Sequence, residues 1–390
     1  MSIRGLVLFV FAGCAVAAPP PLPAPYHTPS ASNAPAVIAR PENAQLRLPA
    51  GFSIKEYAAG FERPRYMIQL PAGVVLLSDS TRKGTVYALF DRNRDGVSED
   101  RKAILQGLDR PFGLALWKDY LYVAETTAVK RYKFNPSTLV IGPGEEVVSM
   151  KEFGSGHWTR TIRFSPDGTK FYLSIGSASN VSPGEPEMRA AILRFNPDGT
   201  GREFVARGTR NPIGLDFEPT TGKLWAAIQE RDGLGDDLVP DYFTSIKEGG
   251  FYGWPYAYIG PNEDPRNKGQ RTDLVKSTIV PDVVLPSHVA VLDSRFYRGS
   301  MFPARYGNGA LLAYHGSWNR AQRIGYSVVF IPFKDGRPSG PAEDLLSGFM
   351  LDPGKKEVWG RPVGLLELPD GSLLVSDDGG NRIWRITYKK

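Results

Sequence analysis

Histidines are the residues best suited to chemistry in this chain of 390 residues, which contains only four. His157 stands in the segment GSGHWTRTIRFSPDG, directly before Trp158 and an apolar run. A neutral imidazole can remove a hydroxyl proton near neutral pH, because its ordinary pKa is about 6.5. We therefore take His157 as the candidate general base, with a purely structural histidine as the alternative. His288 and His315 are candidates for ligand contact or structure, and His27 lies in a Pro-rich segment where we assign it no chemistry.

Arginines form the second group, because each of five precedes an apolar segment and a turn. The segments begin at Arg63-Pro64-Arg65, Arg110-Pro111, Arg160, Arg210-Asn211-Pro212 and Arg361-Pro362. Guanidinium groups pair with planar carboxylates through two parallel hydrogen bonds, so a cluster of them suits an anionic ligand. The alternative is that some of these arginines tie parts of the fold together through buried carboxylates.

Acidic residues cluster in the segment Glu230–Asp237 (ERDGLGDD), and Asp241 follows shortly after. Carboxylate and exposed carbonyl oxygens are the ligands that Ca²⁺ prefers, so this segment is a candidate cation site; the alternative is a polar turn. A second cluster, Asp91–Gly96 (DRNRDG), copies the start of an EF-hand loop. Its twelfth position is Lys102 instead of a glutamate, and we interpret it as a turn between strands.

The arginines recur with a spacing that predicts the architecture. Arg63, Arg110, Arg160, Arg210 and Arg361 are separated by 47, 50, 50 and 151 residues, and each starts a strand–turn–strand pattern with Pro-Asp-Gly or similar turns. The last interval has room for one more unit, at residues 287–314, after an excursion over residues 232–286. Repeats of about 50 residues with several strands indicate a β-propeller. We predict an all-β fold of six four-stranded antiparallel blades.

A strand at residues 52–57 precedes the first repeat and is expected to pair with the C-terminal strands 372–377 and 382–388, which would close the ring. In a propeller the first strand of each blade lines the central channel. The five arginines, His157 and His288 precede such strands, and we therefore expect them to gather around one mouth of the channel.

Composition supports this fold and excludes several classes of function. The chain has 42 Gly and 33 Pro, which is more than usual and indicates frequent turns. The net charge of +6 is mild and the basic residues are scattered, so nucleic-acid binding is not expected. The single cysteine excludes a disulfide scaffold, and the sequence contains neither a Cys/His cluster for zinc nor a Gly-rich loop for a nucleotide.

The N-terminus has the features of an export signal. A basic start, a short apolar run and Ala15-Val16-Ala17 predict a signal peptide over residues 1–17. Cys14 follows Phe-Ala-Gly in a pattern similar to a bacterial lipobox, which leaves two alternatives: a soluble periplasmic protein, or one lipid-anchored through Cys14. Residues 18–45 are rich in Pro, Ala and Ser and are predicted to be an extended linker, and residues 46–390 are predicted to form the propeller domain.

Taken together, these segments resemble the glucose/sorbosone dehydrogenases. The resemblance rests on RNPIGLDFEPTTGKLWAAIQERDGLGDDLVPDYFTSIKEGGFYGWP from Arg210, on GHWTRT at 156–161 and on HGSWNR at 315–320. The last two segments are similar to the sorbosone dehydrogenase branch in particular. The resemblance covers about residues 46–388 and implies a six-bladed propeller that uses pyrroloquinoline quinone (PQQ) and calcium. PQQ is planar and carries three carboxylates, so it would be a suitable partner for the arginines.

The resemblance also implies roles for individual residues. His157 matches the base that takes a sugar hydroxyl proton, and Arg210 and Asn211 match a pair beside the quinone. Arg320 and Arg361 match residues that bind cofactor carboxylates, with His288 and Trp318 as further cofactor contacts. Backbone carbonyls near Asp232 and Gly233 match the calcium ligands, with Asp237 and Asp241 as weaker candidates. One position departs from the pattern, since Leu285 stands where glucose-oxidising members have a tryptophan against PQQ.

The implied function is oxidation of an aldose or sorbosone-like aldehyde, with electrons passing to a separate cytochrome or quinone, because the chain lacks a Cys-x-x-Cys-His haem motif. Two alternatives stay open. One is a non-catalytic propeller that binds an anionic glycan or partner at the arginine-lined mouth. The other is a metal-dependent hydrolase of the lactonase type, which would need carboxylates from several blades around one cation.

Overall fold

The protein is a ring of six four-stranded antiparallel sheets, which confirms the predicted six-bladed β-propeller. The computed structural model describes residues 21–154 and 156–389. The first strand of each sheet contacts the first strands of both neighbouring sheets, so these inner strands surround a central axis. The predicted signal peptide and Cys14 lie outside the described residues.

The strands of the first three blades follow one another along the chain. Blade 1 consists of Pro64–Gln69, Val75–Asp79, Gly84–Phe90 and Asp100–Leu108. Blade 2 consists of Leu114–Trp117, Tyr120–Ala124, Ala128–Asn135 and Val140–Ser149. Blade 3 consists of Arg160–Phe164, Phe171–Ile175, Ala191–Phe195 and Glu203–Arg207, and the short strand Gly250–Phe251 pairs in parallel with its outer edge.

The last three blades include the long excursion and the ring closure. Blade 4 consists of Asn211–Phe217, Leu224–Gln229, Pro240–Ser245 and Val283–Ser287. Blade 5 consists of Val291–Phe296, Ala310–Tyr314, Ser327–Ile331 and Glu343–Leu346. Blade 6 consists of Pro362–Glu367, Leu373–Asp377, Arg382–Tyr388 and the N-terminal strand Phe52–Ala59, which pairs antiparallel with Arg382–Tyr388 as predicted.

The excursion predicted over residues 232–286 is partly wrong. It contains the two outer strands of blade 4, Pro240–Ser245 and Val283–Ser287, which pair with each other across the insertion. The insertion itself carries the hairpin Ala257–Tyr258 and Asn262–Glu263, a short 3₁₀ turn at Pro265–Asn267 and the helix Thr272–Ser277. Further 3₁₀ turns lie at Lys151–Phe153 and Ala304–Tyr306, and a second hairpin pairs Phe333–Lys334 with Arg337–Pro338.

The repeats form strands because apolar segments alternate with turns that the sequence marks clearly. Between Phe164 and Phe171, the chain reverses in the turn Ser165–Gly168, whose Gly168 N–H donates to the Ser165 carbonyl while Asp167 accepts from Thr169. Buried strands such as Leu373–Asp377 expose almost nothing, because each sheet packs between two neighbours. The hydrophobic core therefore consists of clusters between adjacent blades.

The arrangement gathers the candidate residues at one mouth of the channel, where each inner strand begins and each second strand ends. Residues 21–45, which the sequence assigns to a linker, lie against the ring and pair through Ala36–Val37 with Glu357–Val358 in parallel. Within the described ranges, no helix is both long and apolar enough to cross a membrane.

Candidate active site

A cavity of about 190 Å³ opens at this mouth on the side of blades 3, 4 and 5. Six of the residues that the sequence predicts for the site line it: His157, Arg210, Asp232, Asp241, His288 and Trp318. Glu230, from the acidic segment Glu230–Asp237, also lines it, as do Gln229, Ala290 and Asn319, which were not predicted. Asn319 lies in the HGSWNR segment, so a signal for it was present, whereas Gln229 only ends an ordinary apolar strand.

His157 is held in one tautomer by Ser177, which lies just after the second strand of blade 3. Its Nδ1 lies 2.8 Å from the Ser177 carbonyl and 3.1 Å from the Ser177 hydroxyl. Because a carbonyl can only accept, Nδ1 carries the proton and Nε2 keeps its lone pair. Burial, together with the positive charges of Arg210, Arg189 and Arg160, lowers the pKa of His157 to about 3. The imidazole is therefore a neutral acceptor at neutral pH.

The Arg210–Asn211 pair stands at the start of blade 4, beside His157. Arg210 donates to the Glu230 carbonyl (2.7 Å), to the Asn180 side chain (2.9 Å) and to Asp232 Oδ2 (3.0 Å). Asn211 donates through Nδ2 to Gln229, while its buried Oδ1 has no hydrogen-bond partner. Gly176 makes this arrangement possible, since a Cβ there would come within 2.6 Å of the His157 Cβ and would clash with Asn211 Oδ1.

Asp232 links blades 4 and 5 across the cavity. Its Oδ1 accepts from Asn319 Nδ2 at 2.6 Å, and the same amide group lies 3.1 Å from His288 Nδ1. His288 Nε2 is 3.0 Å from the Gly235 carbonyl, so Nε2 carries the proton and Nδ1 accepts. Burial lowers the pKa of His288. The carboxylate, the amide and the imidazole thus form one continuous network.

The other predicted cofactor contacts lie around the rim. Arg320 donates to the Asp236 carbonyl and to Asp237 Oδ1. Arg361 donates to the His315 and Gly316 carbonyls, both at 3.2 Å, and does not line the 190 Å³ cavity. Trp318 leaves 45% of its surface exposed at the cavity wall. Leu285, in contrast, is buried in the core between blades 4 and 5 and does not reach the mouth.

The arginines at the mouth divide into two groups, those paired with a carboxylate and those without such a partner. Arg65 of blade 1 pairs with Asp378 of blade 6 at 2.5 Å, which is the predicted structural tie between blades, and Arg210 pairs with Asp232. Among the described residues, the guanidinium groups of Arg110, Arg160 and Arg361 have no carboxylate oxygen within 4.0 Å. Arg160 is 0% exposed, and its Nε and Nη2 lack hydrogen-bond partners. A surplus of positive charge therefore surrounds the mouth.

On the blade 5–6 side, Asp378 also accepts from His315 Nε2 at 2.7 Å. Burial and Arg361 lower the pKa of His315 to about 4.

A second aromatic group lies at the mouth before blade 3. The guanidinium groups of Arg65 and Arg110 lie 4.9 and 5.9 Å from the ring centre of Trp158, within the range of cation–π contacts. The mouth thus combines cationic and aromatic groups around a neutral base.

The residues predicted as metal ligands do not form a common ligand set. The Asp232 carbonyl accepts from Asn180 Nδ2 (2.9 Å) and Arg266 Nη1 (2.7 Å). Asp241 accepts backbone N–H groups with both oxygens, and burial raises its pKa to about 7. Gly233 and Asp237 do not line the cavity, and Asp237 pairs with Arg320. No group of three or more acidic, His or Cys residues in the described ranges could hold a metal ion.

Comparison with known proteins gives the family. The TrAA12-like family model matches residues 46–240 and 260–389. An uncharacterized protein of Borreliella burgdorferi is 31% identical over 364 residues, covering 88% of this chain and 91% of that protein. A pyrroloquinoline quinone-dependent pyranose dehydrogenase of Coprinopsis cinerea is 24% identical over 407 residues, covering 88% of this chain but only 54% of the dehydrogenase.

Solved structures agree in fold. The calcium structure of the Trichoderma reesei family AA12 enzyme superposes with a TM-score of 0.78 at 21% identity, covering 91% of this chain and 98% of that one. The holo PQQ domain of the Coprinopsis cinerea pyranose dehydrogenase superposes with a TM-score of 0.76 at 21% identity, covering 91% and 99%. The resemblance inferred from the sequence is confirmed at the level of the family, and the chain belongs to the TrAA12-like family of six-bladed propellers.

Proposed function

We propose that this protein is a PQQ- and calcium-dependent oxidoreductase that oxidises a sugar, an aldose or a sorbosone-like aldehyde, at the mouth of the propeller. The observation that carries the proposal is His157: a buried, neutral imidazole with a free Nε2 lone pair, fixed beside the Arg210–Asn211 pair. A propeller that only binds a glycan does not need a base oriented in this way. The name of the Coprinopsis cinerea relative, a PQQ-dependent pyranose dehydrogenase, supports the same class of reaction, and the Trichoderma reesei protein is named as a carbohydrate-active enzyme.

The residues present fit a planar tricarboxylate. Three arginines at the mouth, Arg110, Arg160 and Arg361, have guanidinium groups without a carboxylate partner. Arg160 is also fully buried, and burying an uncompensated guanidinium is costly. Three ligand carboxylates would balance the three guanidinium groups. Arg210, Asn211, Arg320, Arg361, His288 and Trp318 are the residues we propose to hold the cofactor. When bound, PQQ supplies an electron-accepting quinone that takes a hydride from the sugar carbon.

The chain's own residues then carry the proton chemistry. His157 Nε2 accepts the proton of the sugar hydroxyl as its carbon loses a hydride, so that one C–O single bond becomes a carbonyl. Ser177 keeps the ring in place through Nδ1 and accepts a stronger hydrogen bond once the imidazole is charged. The donors of Arg210 and Asn211 stabilise negative charge that develops on the acceptor side. The two electrons leave the protein to a separate acceptor, a cytochrome or a quinone.

Calcium dependence is supported by the calcium structure of the Trichoderma reesei relative. The Asp232 carbonyl already accepts two hydrogen bonds, from Asn180 and Arg266. A cation near it would therefore have to displace these donors or rely on oxygens of the cofactor. Export, and a periplasmic location with or without a lipid anchor at Cys14, rest on the N-terminal sequence alone.

Reconstitution tests the proposal. The full chain is purified without cofactor, mixed with PQQ in the presence of Ca²⁺ or of EDTA, and its absorption is recorded before and after a panel of pyranoses and sorbosone is added. We expect PQQ to bind and one class of sugar to bleach the quinone band, with EDTA reducing the bound fraction. Failure of PQQ to bind would remove the proposal and favour the binding propeller. PQQ binding without reduction by any sugar would contradict the substrate class.

A further inference from the structure

The segment of residues 22–38, which we call the strap, runs over loops of blades 4, 5 and 6 beside the mouth of the propeller. Tyr26 N–H donates to the Leu234 carbonyl at 2.8 Å, and Thr28 Oγ1 accepts from Asp236 N–H at 2.8 Å. The contact is close, because a Cβ at Gly235 would meet the Thr28 carbonyl at 2.7 Å. Further on, Ala36–Val37 pairs with Glu357–Val358. The strap therefore connects loops that lie more than 200 residues away in sequence.

Asn33 is the central contact of the strap with the site. Its backbone N–H donates to the Trp318 carbonyl at 2.7 Å, and its Nδ2 donates to the Arg320 and Ala321 carbonyls at 3.0 and 3.1 Å. Its Oδ1 accepts from Arg323 Nη2 at 2.7 Å. The backbone and side chain of Asn33 together thus bind both ends of the loop 318–323.

This loop carries the groups that organise the cavity. Trp318 and Asn319 line it, and Asn319 Nδ2 donates to Asp232 Oδ1 at 2.6 Å beside His288 Nδ1. Asp232 in turn accepts from Arg210 at 3.0 Å. Hydrogen bonds therefore run from Asn33 through the loop backbone to the residues that face the ligand.

We propose that Asn33 is a positioning residue of the active site, and that the strap is an integral part of that site. The TrAA12-like match begins at residue 46, so the strap lies outside the region by which the family is recognised. Asn33 does not touch the cavity; it acts by fixing the loop that presents Trp318 and Asn319. Only the cofactor-binding readout below rests on the proposed function.

Asn33→Ala in the full chain tests the proposal, with Ser32→Ala as the matched control. Ser32 is adjacent, exposed and makes no side-chain hydrogen bond among the described residues. We expect amides of residues 316–324 to exchange hydrogen on the order of tenfold faster in Asn33→Ala without cofactor, while the middle strands of blades 1 and 2 keep their protection. Affinity for added PQQ is expected to fall on the order of tenfold. Ser32→Ala should leave both quantities unchanged.

Asn33→Asp separates positioning of the loop from general support of the strap. Aspartate keeps the acceptor for Arg323 and the backbone N–H but loses the Nδ2 donor to the loop carbonyls. We therefore expect Asn33→Asp to behave like Asn33→Ala in both measurements. Wild-type exchange and affinity in Asn33→Asp would overturn the proposal, as would an Asn33→Ala protein whose loop exchanges at the wild-type rate. If the wild-type protein binds no PQQ, the proposed function fails, but the exchange measurement still decides this inference.

Discussion

Replacing His157 by glutamine removes the candidate base while keeping a side chain that can donate to Ser177. General-base catalysis contributes about 10²–10⁴-fold to a rate, so we expect turnover to fall by that factor. PQQ affinity is expected to stay close to that of the wild type, because Arg210, Arg320 and Arg361 are untouched.

The pH dependence gives a second quantity to test. The pKa of His157 is lowered to about 3 by burial and by Arg210, Arg189 and Arg160. A bound tricarboxylate offsets these positive charges and raises the pKa towards the ordinary value of about 6.5 without reaching it. At pH 5 a base with the ordinary pKa would be only about 3% neutral. We therefore expect the acid limb of kcat/KM in the wild-type enzyme to lie below pH 6.

The assay is reduction of an artificial dye by the reconstituted enzyme between pH 4 and pH 8, with PQQ binding measured separately by absorption. A sugar deuterated at the oxidised carbon shows whether hydride transfer limits the rate. His27→Gln is the control, because His27 is exposed in the strap and makes no side-chain contact with the cavity. Turnover within a few fold of the wild type in His157→Gln, or an acid limb at pH 6.5 or above, would refute the assignment.

Three further predictions concern the frame around the site. Gly176→Ala is expected to lower turnover on the order of 10²-fold, because the added Cβ displaces His157 and Asn211. The melting temperature checks folding, and Gly142→Ala is the control, since its added Cβ meets nothing closer than 3.5 Å. Equal activity of the two variants would contradict this prediction. Asp378→Asn leaves Arg65 without its charged, buried partner and should lower the free energy of unfolding in urea by about 3–5 kcal/mol, whereas Asp119→Asn, which removes the exposed pair with Lys133, should have a much smaller effect. The pKa of His315 is lowered to about 4 in the folded protein, so below pH 6.5 only the unfolded chain binds this proton, and the free energy of unfolding falls as the pH decreases towards 4. His315→Gln should therefore reduce the loss of unfolding free energy between pH 7 and pH 5, measured in urea, by about 2 kcal/mol. The same loss in the variant and the wild type would show that the imidazole titrates normally in the folded protein.

Much of the fold was predictable because its determinants are local. An arginine marks the start of five of the six units, and turn segments such as Ser165–Gly168 separate the apolar strands within them. The pairing of Phe52–Ala59 with Arg382–Tyr388 also followed from the sequence, since a ring must close on itself. The outer strands of blade 4 were missed because Pro240–Ser245 and Val283–Ser287 are separated by an insertion whose length carries no register information.

The site was predictable only in its principal residues. His157, Arg210 and His288 could be placed at the mouth because each precedes an inner strand of a repeating unit. Gln229 and Asn319 were not assigned to the cavity, although Asn319 stands in the HGSWNR segment, since their presence there depends on how different blades meet. The proposed carbonyl ligand at Asp232 accepts hydrogen bonds from Asn180 and Arg266, which are 52 and 34 residues away and had no signal in the sequence.

The sequence by itself therefore determined the ring of six blades and the mouth at which the candidate residues gather, and it made His157 the candidate base. Periodicity and turn chemistry act over a few residues and can be read directly from the order of amino acids. Only the tertiary structure decided which arginines are neutralised, as Arg65 is by Asp378, and which keep their charge for a ligand, as Arg110 and Arg361 do. It also decided that the Pro/Ala-rich residues 22–38 hold the site together through Asn33, because the backbone groups that bind this segment are brought together only when the ring has closed.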